Sequence, residues 1–507
     1  MIEERLMGAT GARLGRLAFG SACALLAYVA LVATAGAAVP VVSRVVLAAP
    51  HAPGTPPVFR VPQVGLVNLN RVGIIKVSPE GERAKNVLVL EPGTSAAAAY
   101  FVPFAKSLVE AVPGWQVWAV ERRENFLENQ KVLNEYKAGE ISAKEFYDFY
   151  LGYFGNPSVT NHYLPVHESR IEFAKNWGMN VSVNDLKVVV GHAKSMGGKV
   201  VLGGHSLGGS VVTAYATWDF AGHPGAEGLS GLVYDDGGSS PLAISKEEAE
   251  ASLAQLDEPE ETPWLAFGGI PAPDLGLFSA VGSALTLEEP KGASQLEQFA
   301  FLPPDLRSPI TPVTNEAGFG YSVNVGTSPE SLVAAQIHGG KGVEETAEAD
   351  GLHGWNGEGA LTPVPRYAEM LAGAGLKQSG SEWYFPARLT LDTGAVGNGL
   401  ANPAQEVLGL HSTMGTELPK SLHIIAIDSE LDKLLGGSTT TLTEAKLLAE
   451  QSGISTEECT AATSAAEGCL TLIEEKESYA HNDPAGATPS INEFFKKLVP
   501  YLEDIGK

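Results

Sequence analysis

Between Gly198 and Ala216 the chain switches period abruptly, and that switch constrains its fold more than any other feature. Gly198-Lys199-Val200-Val201-Leu202 reads as a strand and runs straight into Gly203-Gly204-His205-Ser206-Leu207-Gly208-Gly209. A small-residue helical segment through Thr213, Ala214, Tyr215 and Ala216 follows at once. Ser206 therefore sits on a sharp strand-to-helix turn, with glycine two residues before it and two after. Side chains at those flanking positions would collide as strand and helix close together, so both want glycine. Gly209 adds room for packing. The plain alternative is a glycine-rich turn without chemistry. A near match, Ala193-Lys194-Ser195-Met196-Gly197, lies just upstream after Val188-Val189-Val190. Gly197-Gly198 leads there into a second strand instead of a helix, so Ser195 reads as a helix end or turn.

The surrounding chain alternates strands with helical segments. Val58 to Val61, Val72 to Val77, Asn86 to Leu90 and Gln116 to Val120 read as strands. Helical spacing covers Tyr100 to Val112 and Val183 to Ala193, and Asn125 to Trp177 is an aromatic, charged excursion. Leu232-Val233-Tyr234 is a further strand, stopped at Asp235-Asp236-Gly237-Gly238. This rhythm implies βαβ units and a mainly parallel sheet flanked by helices. From about Ser240 to Leu410 it is lost, apart from a helical Glu247 to Leu256, and so long a stretch reads as an inserted module. It returns with strands at Leu422 to Ile427 and Leu470 to Ile473 and a terminal helix from Ile491 to Leu502.

The N-terminal part reads as an address. Arg13 and Arg16 precede an apolar run from Leu17 to Val32, and Ala35-Gly36-Ala37 fits the small-residue cleavage pattern of a secretory signal. Residues 1–37 are thus expected to be a signal peptide, and 38–57, rich in proline and alanine, a linker. The rival reading is an uncleaved membrane anchor, the only membrane contact the sequence suggests. Cys459 and Cys469 form an even pair close in sequence, which in an exported chain predicts a disulfide; two unpaired thiols are the alternative. The net charge of −25 argues against nucleic acid as a partner.

Gly204-His205-Ser206-Leu207-Gly208, set between strand and helix, resembles the G-x-S-x-G turn of the α/β-hydrolase superfamily. The resemblance covers about 58–240 and 411–507, the two parts of the expected core. It implies Ser206 as nucleophile, followed in chain order by an acid and a histidine. Leu422 to Ile427 looks like the family's seventh strand, and Asp432 in the segment after it matches the acid position. Asp428 stands where a glycine is usual, which leaves Asp428 and Glu430 as rivals. Relatives that place the acid after strand six would use Asp235 or Asp236. Tyr479-Ala480-His481-Asn482-Asp483-Pro484 resembles the histidine loop before the last helix, with His481 as base and His205 as a packing residue. The oxyanion donors implied are the backbone N–H groups of Leu207 and of Thr94, with Ser95 the neighbouring alternative to Thr94.

The insertion at 241–410 falls where this superfamily carries a cap. Its Trp264, Phe267, Phe278, Trp355 and Tyr367 could line an acyl or aromatic pocket, or form the cap's own small core. The expectation is a secreted serine hydrolase acting on small-molecule or lipid esters through an acyl-enzyme, with no metal or organic cofactor required. A peptidase or acyltransferase would use the same residues. A non-catalytic binding protein on the same scaffold is the alternative from another class.

Overall fold

The computed structural model describes residues 38–267, 270–347, 350–431, 440–460 and 467–507. The expected signal peptide, 1–37, lies outside them. Eight strands form one sheet: β1 (Pro40–Ala48), β2 (Arg71–Pro79), β3 (Asn86–Glu91), β4 (Trp115–Glu121), β5 (Val200–His205), β6 (Gly231–Asp235), β7 (His423–Ile427) and β8 (Cys469–Ile473). Their spatial order is β1-β2-β4-β3-β5-β6-β7-β8. β2 is antiparallel to both β1 and β4, and every pairing from β4 through β3 to β8 is parallel. The central strands are buried along their whole length, as continuous Val, Ile and Leu runs require when helices cover both faces.

Two readings of the chain's first part change. The segment expected to be a linker, 38–57, contains β1, which pairs with β2 from Pro40↔Pro79 to Ala48↔Arg71. Proline and alanine at its ends hid a β-branched run, Val41-Val42-Ser43-Arg44-Val45-Val46, which suits an edge strand. Phe59–Val61, by contrast, stays outside the large sheet and forms a small antiparallel pair with Gly65–Val67. The other expected strands coincide with β2 to β8 to within a few residues at their ends.

The helix Leu207–Ala216 follows β5 directly and is buried along nearly all its length. Met179–Lys194 packs beside it, and Ser195 is this helix's C-cap, its hydroxyl donating to His192 O at 2.6 Å. Between β6 and β7 run the helices Lys246–Leu256, Ala272–Glu288, Asn315–Val323, Val364–Ala372, Ala387–Val396 and Pro403–Leu408. Part of this insertion is fastened to the core. Asp392 accepts the Met179 N–H at 2.8 Å, and Gln405 donates to Ser412 O at 2.8 Å. Trp264 is buried against Trp177 and Tyr384, and Trp355 packs over Gly320. Those two aromatics are packing residues. The Phe267 side chain lies outside the described residues. Among these residues no helix is long and apolar enough to cross a membrane.

Cys459 and Cys469 form a disulfide that ties the segment before β8 to the strand's first residue. A cross-link closing so short a loop, ten residues, removes about 2–3 kcal/mol of chain entropy from the unfolded state. Replacing both cysteines by serine is expected to lower the unfolding free energy by that amount, read from urea denaturation with and without reductant. An unchanged midpoint would show that the bond contributes nothing to the fold.

Candidate active site

Ser206 begins the Leu207–Ala216 helix with φ +55° and ψ −131°, a backbone conformation that ordinary residues avoid. Its glycine neighbours make that turn possible. A Cβ on Gly204 would lie 2.3 Å from the Gly208 carbonyl carbon, and one on Gly208 would lie 2.2 Å from Glu91 O. A Cβ on Gly209 would meet the Gly237 backbone at 2.3 Å. The collision foreseen between the positions flanking Ser206 is therefore the actual packing. The end of β6 closes the turn from the far side, with the Ser206 N–H donating to Asp235 O at 3.1 Å.

Asp236 follows β6 with φ +43°, a left-handed conformation that aspartate tolerates better than most residues. Its Oδ2 is hydrogen-bonded to His481 Nδ1 and accepts the Ser429 hydroxyl. Both members of the His481–Asp236 pair are buried. Burial disfavours the charged form of each, pulling the imidazole down and pushing the carboxyl up. The unpaired neighbour Asp235 is pushed well above the usual carboxylate range, by burial first and then by Asp236. Asp432, the acid expected from the family pattern, lies outside the described residues. Of its rivals, Asp428 accepts the Glu475 N–H at 2.7 Å, and Glu430 is half-buried with its N–H on Tyr479 O. The carboxylate on the histidine is thus one of the two that stand after strand six. The signal for it was local: a buried strand ending in Asp-Asp-Gly-Gly, whose Gly237 has no room for a side chain beside Ser206.

His481 is pinned through the two residues after it. Asn482 accepts the Tyr100 hydroxyl at 2.9 Å and donates to Ala334 O and Gln336 O at 3.0 Å. Asp483 accepts the Ala480 N–H at 2.8 Å, the Thr362 hydroxyl at 2.7 Å and the His338 backbone N–H at 3.1 Å. His205 stacks on Tyr100 with ring centroids 5.2 Å apart, and its Nε2 contacts His481 O at 3.0 Å. Burial lowers its pKa to about 3, so it stays neutral, a packing group as expected.

Ser206, His481 and Thr94 line one cavity of about 60 Å³, together with Tyr100, Leu275 and Ser279. Leu207 follows Ser206 as the first residue of its helix. The Thr94 loop approaches Ser206 so closely that a Cβ on Gly93 would lie 2.6 Å from the Ser206 Cβ. Ser95, with φ +55°, also lines the cavity. Of the five insertion aromatics named from the sequence, Tyr367 lines this cavity. The insertion supplies about half of the lining, including Leu275, Ser279 and Ala335.

The Thr94 loop is fastened from beneath by Arg122, a residue the sequence reading did not single out. Its guanidinium donates to Pro92 O at 2.8 Å, Gly93 O at 2.8 Å and Ala96 O at 2.9 Å, and pairs with Glu382 at 2.6 Å. From above, Ser95 O accepts the Glu382 N–H and Gly380 O accepts the Ala97 N–H. Burial works against the Arg122 cation, but Glu382, Glu91 and Glu124 outweigh it and keep the guanidinium charged. These acids outnumber the cation. Burial raises Glu91 to about 7 and the adjacent Glu128 to about 8.

The β1-β2-β4-β3-β5-β6-β7-β8 order, parallel from β4 onward, and the Ser206 turn at the carboxyl end of β5 define the α/β-hydrolase fold. Neither a protein-family model nor a curated protein matches the sequence. Solved structures are similar in fold. The chain is similar to a soluble variant of monoglyceride lipase from Saccharomyces cerevisiae, at 11% identity over 86% of this chain and 92% of that one, TM-score 0.34. It is similar to a carboxylesterase from Nitrososphaera gargenis, at 12% identity over 89% and 98%, TM-score 0.33. A haloalkane dehalogenase from Bradyrhizobium elkani aligns at 9% identity over 92% and 98%, TM-score 0.34. Because one fold hosts several chemistries, the reaction has to be argued from this chain's own side chains. The one group of potential metal ligands among the described residues is His423 with Cys459 and Cys469, whose sulfurs are joined to each other.

Two outcomes follow from the charge cluster. Arg122→Met leaves buried carboxylates without their cation and is expected to cost about 3–5 kcal/mol in urea unfolding; a loss below 1 kcal/mol would show that the strap is not structural. Glu128 holds its proton in the folded chain up to about pH 8, but in the unfolded chain only to about pH 4.3. The folded state then binds more protons across that window, so this group's contribution to stability falls as pH rises. Glu128→Gln removes the slope. The variant should gain stability relative to the wild type as pH is raised through the window from about 4.3 to 8. Parallel pH profiles would exclude a protonated Glu128.

Proposed function

We propose that this chain is an exported serine hydrolase that cleaves neutral carboxylic esters through Ser206, His481 and Asp236. The observation that carries the reading is the buried His481–Asp236 hydrogen bond beside a serine that shares a cavity with that histidine. A serine hydroxyl is a weak nucleophile until a base accepts its proton, and the base needs a partner to hold its tautomer. With Asp236 accepting from Nδ1–H, the Nε2 lone pair of a neutral His481 is free to take the Ser206 proton.

Ser206 Oγ then attacks the ester carbonyl. The backbone N–H groups of Leu207 and Thr94, or Ser95 in place of Thr94, stabilise the oxyanion, each contributing roughly 3 kcal/mol in the transition state. His481 passes its proton to the leaving alcohol. Water, deprotonated by His481 in turn, attacks the acyl-enzyme and frees the acid and Ser206. Asp236 takes over the role expected of Asp432. Among the described residues the cavity lining includes no Asp, Glu, Lys or Arg, which favours an uncharged substrate. The segment 241–410 is assigned as the cap because it supplies one side of that cavity. Export through residues 1–37 is supported by the Cys459–Cys469 bond, since such bonds persist in oxidising compartments.

A fluorophosphonate probe and a panel of p-nitrophenyl esters and aminoacyl amides test the reading. Labelling is expected in the wild type and in Ser195→Ala and absent in Ser206→Ala. Asp236→Asn is expected to lower kcat by about 10⁴, through the wrong histidine tautomer. An unlabelled wild type would favour a binding protein, amide-only turnover a peptidase, and preferential transfer to an added alcohol an acyltransferase.

A further inference from the structure

The cavity at Ser206 shares a wall with a much larger one. A cavity of about 370 Å³ lies within the insertion and the 125–177 excursion, and Leu275, Ser279 and Ala335 line both. Leu275 and Ser279 stand one turn apart on the helix Ala272–Glu288. The rest of the large lining is almost wholly apolar, with Phe278, Phe299, Leu302 and Phe319 prominent and Asp274 its single charged residue among those described. Phe278 is one of the aromatics for which the sequence left pocket and core both open. Phe154 and Phe301 also line the cavity and are 43% and 64% exposed, which marks its mouth at the surface.

Resting on the serine-hydrolase reading, we infer that this cavity binds the unbranched aliphatic acyl chain of the substrate ester, about ten to twelve carbons long. The size supports the length: at roughly 30 Å³ for each small group, the share of one water in the liquid, 370 Å³ holds about twelve methylenes. The lining supports the chemistry, because each methylene moved from water into such a surface favours binding without needing a polar partner. The acyl side, not the alcohol, is the fitting occupant. The acyl chain stays tethered to Ser206 through both steps, whereas an alcohol tail buried this deeply would hinder its own departure. Leu275, Ser279 and Ala335 stand where the chain passes from the carbonyl into the cavity.

The test is a chain-length series of p-nitrophenyl esters, from acetate to hexadecanoate, kept below their aggregation limits. kcat/KM should rise at least tenfold from butyrate to dodecanoate and fall again by hexadecanoate. A parallel series of alkyl acetates, with the chain on the alcohol, should show no such rise. Leu302→Trp and Ser322→Trp, which fill the cavity, should lower the dodecanoate-to-butyrate ratio at least fivefold. If either variant folds poorly, the wild-type series alone decides. A profile flat or falling beyond butyrate, with acetate still turned over through Ser206, overturns the acyl assignment and leaves the hydrolase reading standing. A rise confined to the alkyl acetates overturns it equally. Absence of all ester turnover and of fluorophosphonate labelling would remove the reading on which it rests.

Discussion

The close approach of backbones around Ser206 is the constraint on which the rest of the site depends. β5, the helix after it, the Thr94 loop and the end of β6 meet where a side chain on Gly93, Gly204, Gly208, Gly209 or Gly237 would overlap a neighbour. Only because these positions lack a Cβ can the helix start directly from the strand and hold Ser206 at positive φ. The same crowding brings Asp236, immediately before Gly237, into reach of His481. Local backbone packing thus decides which carboxylate can meet the imidazole.

A second layer of order comes from buried charge. Arg122 satisfies three carbonyls of the Thr94 loop and is itself surrounded by glutamates from β3, from the turn just after β4 and from the insertion. Such clusters hold geometry more than they raise stability, since taking the ions out of water costs about what their attraction returns. Here the cation ties the loop beside the serine to Glu382 of the insertion. Core and insertion therefore share one polar network beneath the loop, and a movement of the 380–382 segment would be felt at Thr94.

The insertion serves two unlike surfaces. Its later helices fasten to the core through Asp392 and Gln405, while Ala272–Glu288 and Val364–Ala372 contribute to the cavity over Ser206. The aromatics divided accordingly: Trp264 and Trp355 became packing residues, Tyr367 lines the small cavity and Phe278 the large one. Sequence position could not sort them, because the same ring suits a core or a binding wall and only its neighbours distinguish the two.

Much of the architecture was legible in the residues. Strand and helix periods from Val72 onward, the glycine spacing about Ser206 and the histidine loop before the last helix each reflect rules acting over a few residues, which a linear chain displays openly. The edge strand Pro40–Ala48 was missed because its flanks resemble a linker and its pairing partner lies across a long loop. The sequence by itself determined the sharp turn at Ser206 and the α/β scaffold that such a turn requires. Only the tertiary structure decided which of several interchangeable carboxylates reached His481 and which apolar side chains enclosed a cavity. Both depend on contacts between segments hundreds of residues apart, where many side chains are chemically equivalent and packing geometry alone selects among them.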